Sequence, residues 1–270
     1  PAFKFDQFAT VKTDLSATPG KAITFFKYNN LTPGGALVEG YPMQTQALAG
    51  SQISITVGEY GNAVAVSNLL LATSFIDVMA GAAKLLGDDY VRVVDGLAMG
   101  VLADGAGSDV FADNGANADS IATDDYLSME EIKDAVEILS TNNSPKINND
   151  HWVCVLHPHQ SRHLRDDEDW ITVGKTDPQR LYNGEIGRVE DVIFIETTQV
   201  AYDGNNQATP VDVYTAFLFG DNAFGKAVAL PVEMRDNGVV DFGRERDLAW
   251  YSIFGFGIIN EDNLVAIHTA

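Results

Sequence analysis

A single cysteine, Cys154, in 270 residues excludes an internal disulfide and agrees with a reducing compartment. The chain has no basic-then-apolar opening, so no signal peptide is visible, and no run of about 18 apolar residues that would predict a membrane-spanning helix. Bases are scarce: 17 Lys and Arg face 38 Asp and Glu, for a formal charge of -21 and a pI near 4.3. Such a surface repels phosphate and argues against a basic patch that reads DNA sequence. The common catalytic signatures are also missing: there is no G-x-S-x-G, G-x-G-x-x-G, H-E-x-x-H or paired C-x-x-C. Apolar material is not missing. At 46% hydrophobic and 10% aromatic, with apolar runs from end to end, the chain is too rich in core formers to be disordered. It suffices for one large domain or two interleaved ones, with many turns among its 24 glycines.

Charge is unevenly spread. The first 30 residues carry Lys4, Lys12, Lys21 and Lys27 against Asp6 and Asp14, whereas residues 93–132 hold nine acids and no Lys or Arg. A weakly basic leading arm and an acidic body are expected to face different surroundings. The arm is rich in aromatics (Phe3, Phe5, Phe8, Phe25, Phe26, Tyr28) but has no sustained period, so an extended arm that packs on another part of the chain or on a neighbouring molecule is expected.

Residues 37–66 read as β, with Ile53, Ile55 and Val57 alternating with polar neighbours and turns at Pro33-Gly34-Gly35, Tyr41-Pro42 and Ala49-Gly50. The segment predicts a long, largely polar hairpin with little core. The period then changes. Leu71, Phe75, Val78, Ala82, Leu86, Tyr90, Val93, Leu97 and Val101 recur every three or four residues, one helical face about 45 Å long. Residues 74–77 can cap a start, and Gly87-Asp88 can kink it. A second helix over 128–139 opens with the capping box Ser128-x-x-Glu131 and carries Ile132, Ala135, Val136 and Leu139 on one side. Strands are predicted over 152–156, 191–198, 211–219, 239–242, 250–259 and 264–268, a short helix over 158–164, and hairpin turns at Asp203-Gly204 and Asn237-Gly238. The class is α+β with one long helix.

Four features have chemical readings, each with a plainer competitor. Residues 220–227 nearly spell a phosphate loop, but Ala227 replaces the Mg²⁺-binding hydroxyl and Pro231 interrupts the helix that must follow, leaving a Gly-rich turn. His151, Cys154, His157, His159 and His163 crowd together, with His159 and His163 spaced as zinc ligands often are; buried-thiol, surface and capping roles compete, as does a pH-sensitive patch. Residues 104–111 resemble one calcium nonapeptide without the stacked repeats such sites need, so calcium binding competes with a flexible acidic loop over 104–119. Asp88/Asp89, Asp124/Asp125 and the acids of 166–169 offer acid/base carboxylates, but such runs usually make solvated faces. None of these compels an enzyme.

The order of parts, an aromatic basic arm, a polar hairpin, one long helix and a late α+β region, resembles the major capsid proteins of tailed phages with the Hong Kong 97-type fold. Local wording resembles the branch typified by coliphage N-four. It includes Phe5-Asp6-Gln7-Phe8-Ala9-Thr10, the run from Asp14 to Lys21, Leu86-Gly87-Asp88-Asp89-Tyr90, Gly184-Glu185-Ile186-Gly187-Arg188, and Ala249-Trp250-Tyr251-Ser252-Ile253-Phe254-Gly255-Phe256. The resemblance implies an N-arm over 1–32, an E-loop over 33–60, a peripheral domain over 61–145 with a spine helix over 68–103, an axial domain over 146–225, and C-terminal strands over 226–270 shared between the two domains. It implies intersubunit contacts through Phe3, Phe5, Phe8, Phe25, Phe26, Tyr41, Met43, Ile53 and Ile55, and a DNA-facing arm carrying Lys4, Lys12, Lys21 and Lys27.

The function so implied is a non-enzymatic virion protein. Its pentamers and hexamers, assembled in the host cytoplasm, enclose double-stranded DNA, with scaffolding, portal and decoration partners and no cofactor. Flexibility for both oligomers is expected at the glycines near 34–35 and 58–61. The start at Pro1 suits loss of an initiator Met and leaves no room for a long fused scaffold, so a separate scaffold is expected. The founding phage of the fold joins subunits through an E-loop lysine, and no lysine lies between Lys27 and Lys84, so a shell without that cross-link is expected. The competing functions are an encapsulin-like cargo shell, a metal-dependent enzyme using the His151–His163 cluster, and a calcium-dependent adhesion module.

Overall fold

The structure, a computed structural model, describes residues 3–13, 20–28, 31–37, 39–40, 42–43, 45–115, 117–167, 170, 187–203 and 211–270. Tyr41, residues 14–19 and 184–186 of the resembling motifs, Gly204 of one expected turn, and residues 168–169 of the acidic run lie outside them. In chain order the elements are β1 (Thr10–Lys12), β2 (Ala22–Tyr28), β3 (Gly50–Thr56), β4 (Gly58–Ser67), α1 (Asn68–Thr73), α2 (Val78–Asp104) and β5 (Ser108–Phe111). Then come α3 (Met129–Thr141), β6 (Trp152–Leu156), α4 (Pro158–Asp166), β7 (Arg188–Val189), β8 (Val192–Glu196) and β9 (Ala201–Asp203). The chain closes with β10 (Val213–Phe219), β11 (Phe224–Val240), β12 (Glu245–Ile258) and β13 (Leu264–Thr269). The mixed α+β class is as expected.

The larger sheet runs β5-β13-β10-β6-β8-β7, with β9 pairing the remaining length of β10. Successive side chains point to opposite faces. Cys154, Leu156, Ala216, Leu218, Val265 and Ile267 meet α3 and α4, while Val153, Val155, Phe217, Phe219, Leu264 and Ala266 meet Phe5 of the arm and Ala98 and Leu102 of α2. A sheet covered on both faces needs apolar residues at every position, and all five residues of β6 are buried. The capping box opens α3: the Glu131 carboxylate accepts the Ser128 N–H at 2.8 Å, and Ser128 Oγ accepts the Glu130 N–H at 3.1 Å.

A second sheet, β1-β11-β12-β4, is built on a long antiparallel pair. The strand expected from residue 239 begins at Phe224, because bulges absorb the irregular residues: the pairing shifts register on either side of Leu230, next to Pro231, and again between Asp236 and Val239. Asn237-Gly238 therefore makes a bulge and not the expected turn, held by the Gly238 N–H donating to Asp236 at 2.8 Å. The chain reverses instead at Asp241-Phe242-Gly243, all with positive φ.

Long-helix periodicity is present but differs from expectation in two ways. The helix does not start at 68: α1 stops at Ser74, whose Oγ accepts the Ile76 N–H, and Asp77 caps α2 by accepting the Ala80 N–H at 3.0 Å. Short polar side chains here offer the backbone partners that a continuous helix would otherwise supply. The buried stripe is Ala82, Leu86, Val94, Asp95, Ala98 and Leu102, so Val93, Leu97 and Val101, expected on it, sit beside it half-buried. Steps of four residues overshoot a turn, and the stripe winds around α2 as the helix passes from β4 and β12 to the arm and larger sheet. Gly87 continues the helix without a kink.

The expected hairpin also forms elsewhere. β3 pairs with β2 across the whole of Ala22–Tyr28, while β4 joins the second sheet beside β12. Gly58 and Gly61, expected as hinges, are in register with Phe254 and Tyr251. The base of the β2–β3 ribbon has a core of its own, Ile23, Phe25 and Ile55 against Ala227 and Ile259. Glycines in the second sheet permit this crossing: a Cβ on Gly257 would lie 2.8 Å from Ile55 Cγ1 and one on Gly225 3.0 Å from the Phe25 ring.

Candidate functional site

The arm is not left extended. Its described part folds onto its own chain, with Phe5 fully buried and edge-on to Phe217, Phe8 edge-on to Phe219, and Phe3 edge-on to Tyr90. Sequence reasoning missed the anchor. Asp95, in the apolar stripe of α2, accepts the backbone N–H groups of Lys4 at 2.8 Å, Phe5 at 3.2 Å and Asp6 at 3.3 Å. An acid set among Val94 and Ala98 was the available signal. Burial raises its carboxyl above the ordinary range, although the three N–H donors pull the other way. Beside it, Lys226 Nζ lies 2.6 Å from Asp6 Oδ1 with both side chains largely buried. The pair attracts as charges and is not aligned as a hydrogen bond. The Phe3, Phe254 and Phe256 rings surround the ammonium at 5.4–6.0 Å.

The other expected contact residues divide. Phe25 and Ile55 are buried in the ribbon base and Ile53 is partly buried, whereas Phe26 and Met43 stand exposed at 61% and 67%. Tyr28, named above among the arm aromatics, is exposed as well, as are Leu31, Leu37 and Leu48, which sequence reasoning did not single out. A second apolar surface gathers where the β11–β12 turn meets α1, joined by the Asn68 N–H donating to Arg244 O at 2.7 Å. Leu69, Phe75, Ile76 and Phe242 are all exposed there, and α1 buries no residue. Exposed apolar surface on this scale signals a partner.

Of the arm lysines, Lys12 Nζ donates to Thr24 O at 3.1 Å and lies over the Phe25 ring, and Lys27 Nζ donates to Asn260 Oδ1 and lies 3.6 Å from Asp262. Lys21 is exposed, and Lys4 is held by its backbone.

The chemical readings resolve into structural roles. Residues 220–223 turn into β11 with no helix behind them, and Lys226 is spent on Asp6. Residues 108–111, inside the segment expected as a flexible acidic loop, form β5 paired with β13, and Asp109 faces His268 at 3.1 Å. The acid runs are more than solvated faces: Asp89 accepts the Trp250 indole N–H at 2.9 Å, Asp125 the Ala122 N–H and Asp167 the Met129 N–H. Cys154 is fully buried, which pushes its thiol pKa up and makes it unreactive. His151 leans on Asp150, which Arg188 also grips. His157 caps α4, its Nδ1 accepting the His159 N–H at 3.2 Å. Among the described residues no group of three or more His, Cys, Asp or Glu is placed to hold a metal ion.

Solved structures share this architecture. The capsid of Ralstonia phage GP4 aligns over 98% of this chain and 88% of its own, at 17% identity and a TM-score of 0.78. The cyanophage Pam1 capsid aligns over 97% and 88% at 15% identity and a TM-score of 0.77, and that of cyanophage P-SCSP1u over 100% and 88% at 16% identity and 0.71. No curated protein matches in sequence. A family model described as phage capsid protein matches residues 50–267, from β3 into β13 and through all four helices. The chain belongs to the phage capsid protein family.

Proposed function

We propose that this chain is the major capsid protein of a tailed phage, the subunit whose pentamers and hexamers close into the shell around double-stranded DNA. The observation that carries this reading is the pair of unpartnered apolar surfaces, on the β2–β3 ribbon and at the β11–β12 turn, in a chain of the capsid family. Each exposed Phe, Leu or Met gains about 2 kcal/mol when covered, so several together outweigh the cost of association. In this reading residues 1–32 are the N-arm and 33–60 the E-loop, with β2 supplying the ribbon's other strand. Residues 61–145 and much of 226–270 make the peripheral domain, and 146–225 the axial domain.

The acidic surface suits a container that must not adhere to its DNA. Lys21 and Lys4 are then the arm lysines best placed to touch phosphate, since Lys12 and Lys27 are held within the subunit. Scaffolding, portal and decoration proteins are the expected partners, and the host cytoplasm the expected place of assembly. With no lysine between Lys27 and Lys84, the shell is held non-covalently, and a boiled, reduced sample is expected to run as a single band with no ladder.

Sedimentation velocity tests the reading. The chain is expected to form large particles, and Phe26→Asp combined with Met43→Asp to leave free subunits with an unchanged Tm. Wild-type-like particles from the double variant would contradict it.

A further inference from the structure

Shell formation leaves one feature unused, a stack of rings between α4, β10 and the loop ahead of α3. Tyr126 lies flat on His163, with centroids 3.8 Å apart and planes 2° from parallel. His163 meets His159 at 4.9 Å, and His159 stacks on Tyr214 at 5.2 Å. Tyr214 also stacks on His157 at 4.6 Å and touches Tyr202 of β9 at 5.1 Å. Three imidazoles thus hold three elements together through ring faces.

We propose that this stack is a proton-operated clasp, which pins α4 and residues 121–127 to β10 while the His157 ring is neutral and opens when that ring is protonated. The cap is the sensing contact. His157 Nδ1 accepts the His159 N–H, which requires a lone pair on that nitrogen and places the ring's proton on Nε2. A proton added at Nδ1 takes that lone pair, ends the hydrogen bond, and sets a positive charge at the positive end of a helix dipole. His159 Nδ1 is buried with no hydrogen-bond partner among the described residues, and His163 lies one ring away.

Among the described residues no carboxylate pairs with His157, His159 or His163. On α4, Arg162 opposes a charge on His163 and Asp166 favours it. Glu196 of β8 is engaged by Ser161 and Arg165. From the loop ahead of α3, Tyr126 is uncharged and the Asp125 carboxylate is turned onto the Ala122 N–H. Tyr202 and Tyr214 are uncharged as well, and Asp212 and Ala270 line a cavity of about 320 Å³ beside His159. Burial, and then the neighbouring His159, holds both His157 and His163 below the ordinary imidazole range. Folding therefore favours the neutral rings: their contribution is present above pH of about 6.5 and is lost as pH falls through the lower folded values.

Amide hydrogen exchange on the whole chain at pH 7.5 and 5.5, corrected for intrinsic rates, tests this. Protection across α4 is expected to fall at least tenfold on acidification. His157→Asn, whose side-chain oxygen caps without titrating, is expected to keep protection within about twofold. Equal wild-type protection at both pH values, or a variant losing at least half of what the wild type loses, would overturn the proposal. Should the variant fail to fold, nitrogen NMR of the wild-type rings decides. His157 is expected neutral at pH 7 with its proton on Nε2; a charged ring, or a proton on Nδ1, would overturn it.

Discussion

Asp95, from the middle of α2, accepts the Lys4 backbone N–H at 2.8 Å, so this carboxylate ties the leading arm to the long helix. The same group takes the next two amides, so it serves the 3₁₀ turn at Asp6–Phe8 as a cap supplied from far along the chain. Asp95→Ala would leave buried donors without an acceptor. A loss of about 3 kcal/mol is expected in chemical denaturation, with Asp95→Asn, which keeps one acceptor oxygen, losing less.

The pH dependence of that contact has a definite sign. Burial raises the folded pKa of Asp95 above its unfolded value, so the folded chain binds this proton more readily. Its contribution is fully present below the ordinary carboxylate value of about 4 and drains as pH rises through the folded value. The stability of the wild type relative to Asp95→Asn is therefore expected to fall as pH rises above about 4. A difference that stays constant or grows would show that the three N–H donors outweigh burial.

Lys226 and Asp6 form the second tie on the arm. Lys226→Ala strands a largely buried carboxylate, and a cost of about 3 kcal/mol is expected. Replacing both partners, by Lys226→Met with Asp6→Leu, is expected to recover more than half of it, because an apolar pair fills the space among Phe3, Phe254 and Phe256 without desolvating charge. Denaturation of the two variants beside the wild type measures this. A double variant as weak as Lys226→Ala would mean that the pair itself gives net stability.

Local chemistry made part of this architecture legible. Ser128 and Glu131 announced α3 because a capping box is complete within four residues, and the unbroken apolar run Trp152–Leu156 announced a buried strand. Pro158 marked the start of α4 correctly. Illegible parts depend on distant partners. No pattern within α2 says that its stripe must rotate, since the rotation follows from which sheet lies beside each turn. The β2–β3 pairing joins strands separated by a long segment whose turn residues do not mark it, and the alternation of Ile53 and Ile55 fits either neighbour. Gly225 read as part of a turn, and Gly255 and Gly257 sat inside an expected strand with no sign that their missing side chains leave room for a ribbon to cross. Among the site residues, the aromatic content of the arm was visible from sequence. Phe5 burying itself within the subunit was not, because the groups that hold the arm, Asp95 and Lys226, lie far along the chain.

Electron microscopy of the purified chain, alone and coexpressed with candidate scaffold proteins, tests the central claim most directly. Closed hollow particles with fivefold and sixfold clusters of this subunit are expected. A chain that stays monomeric at every concentration and with every helper, its apolar ribbon still uncovered, would contradict the account.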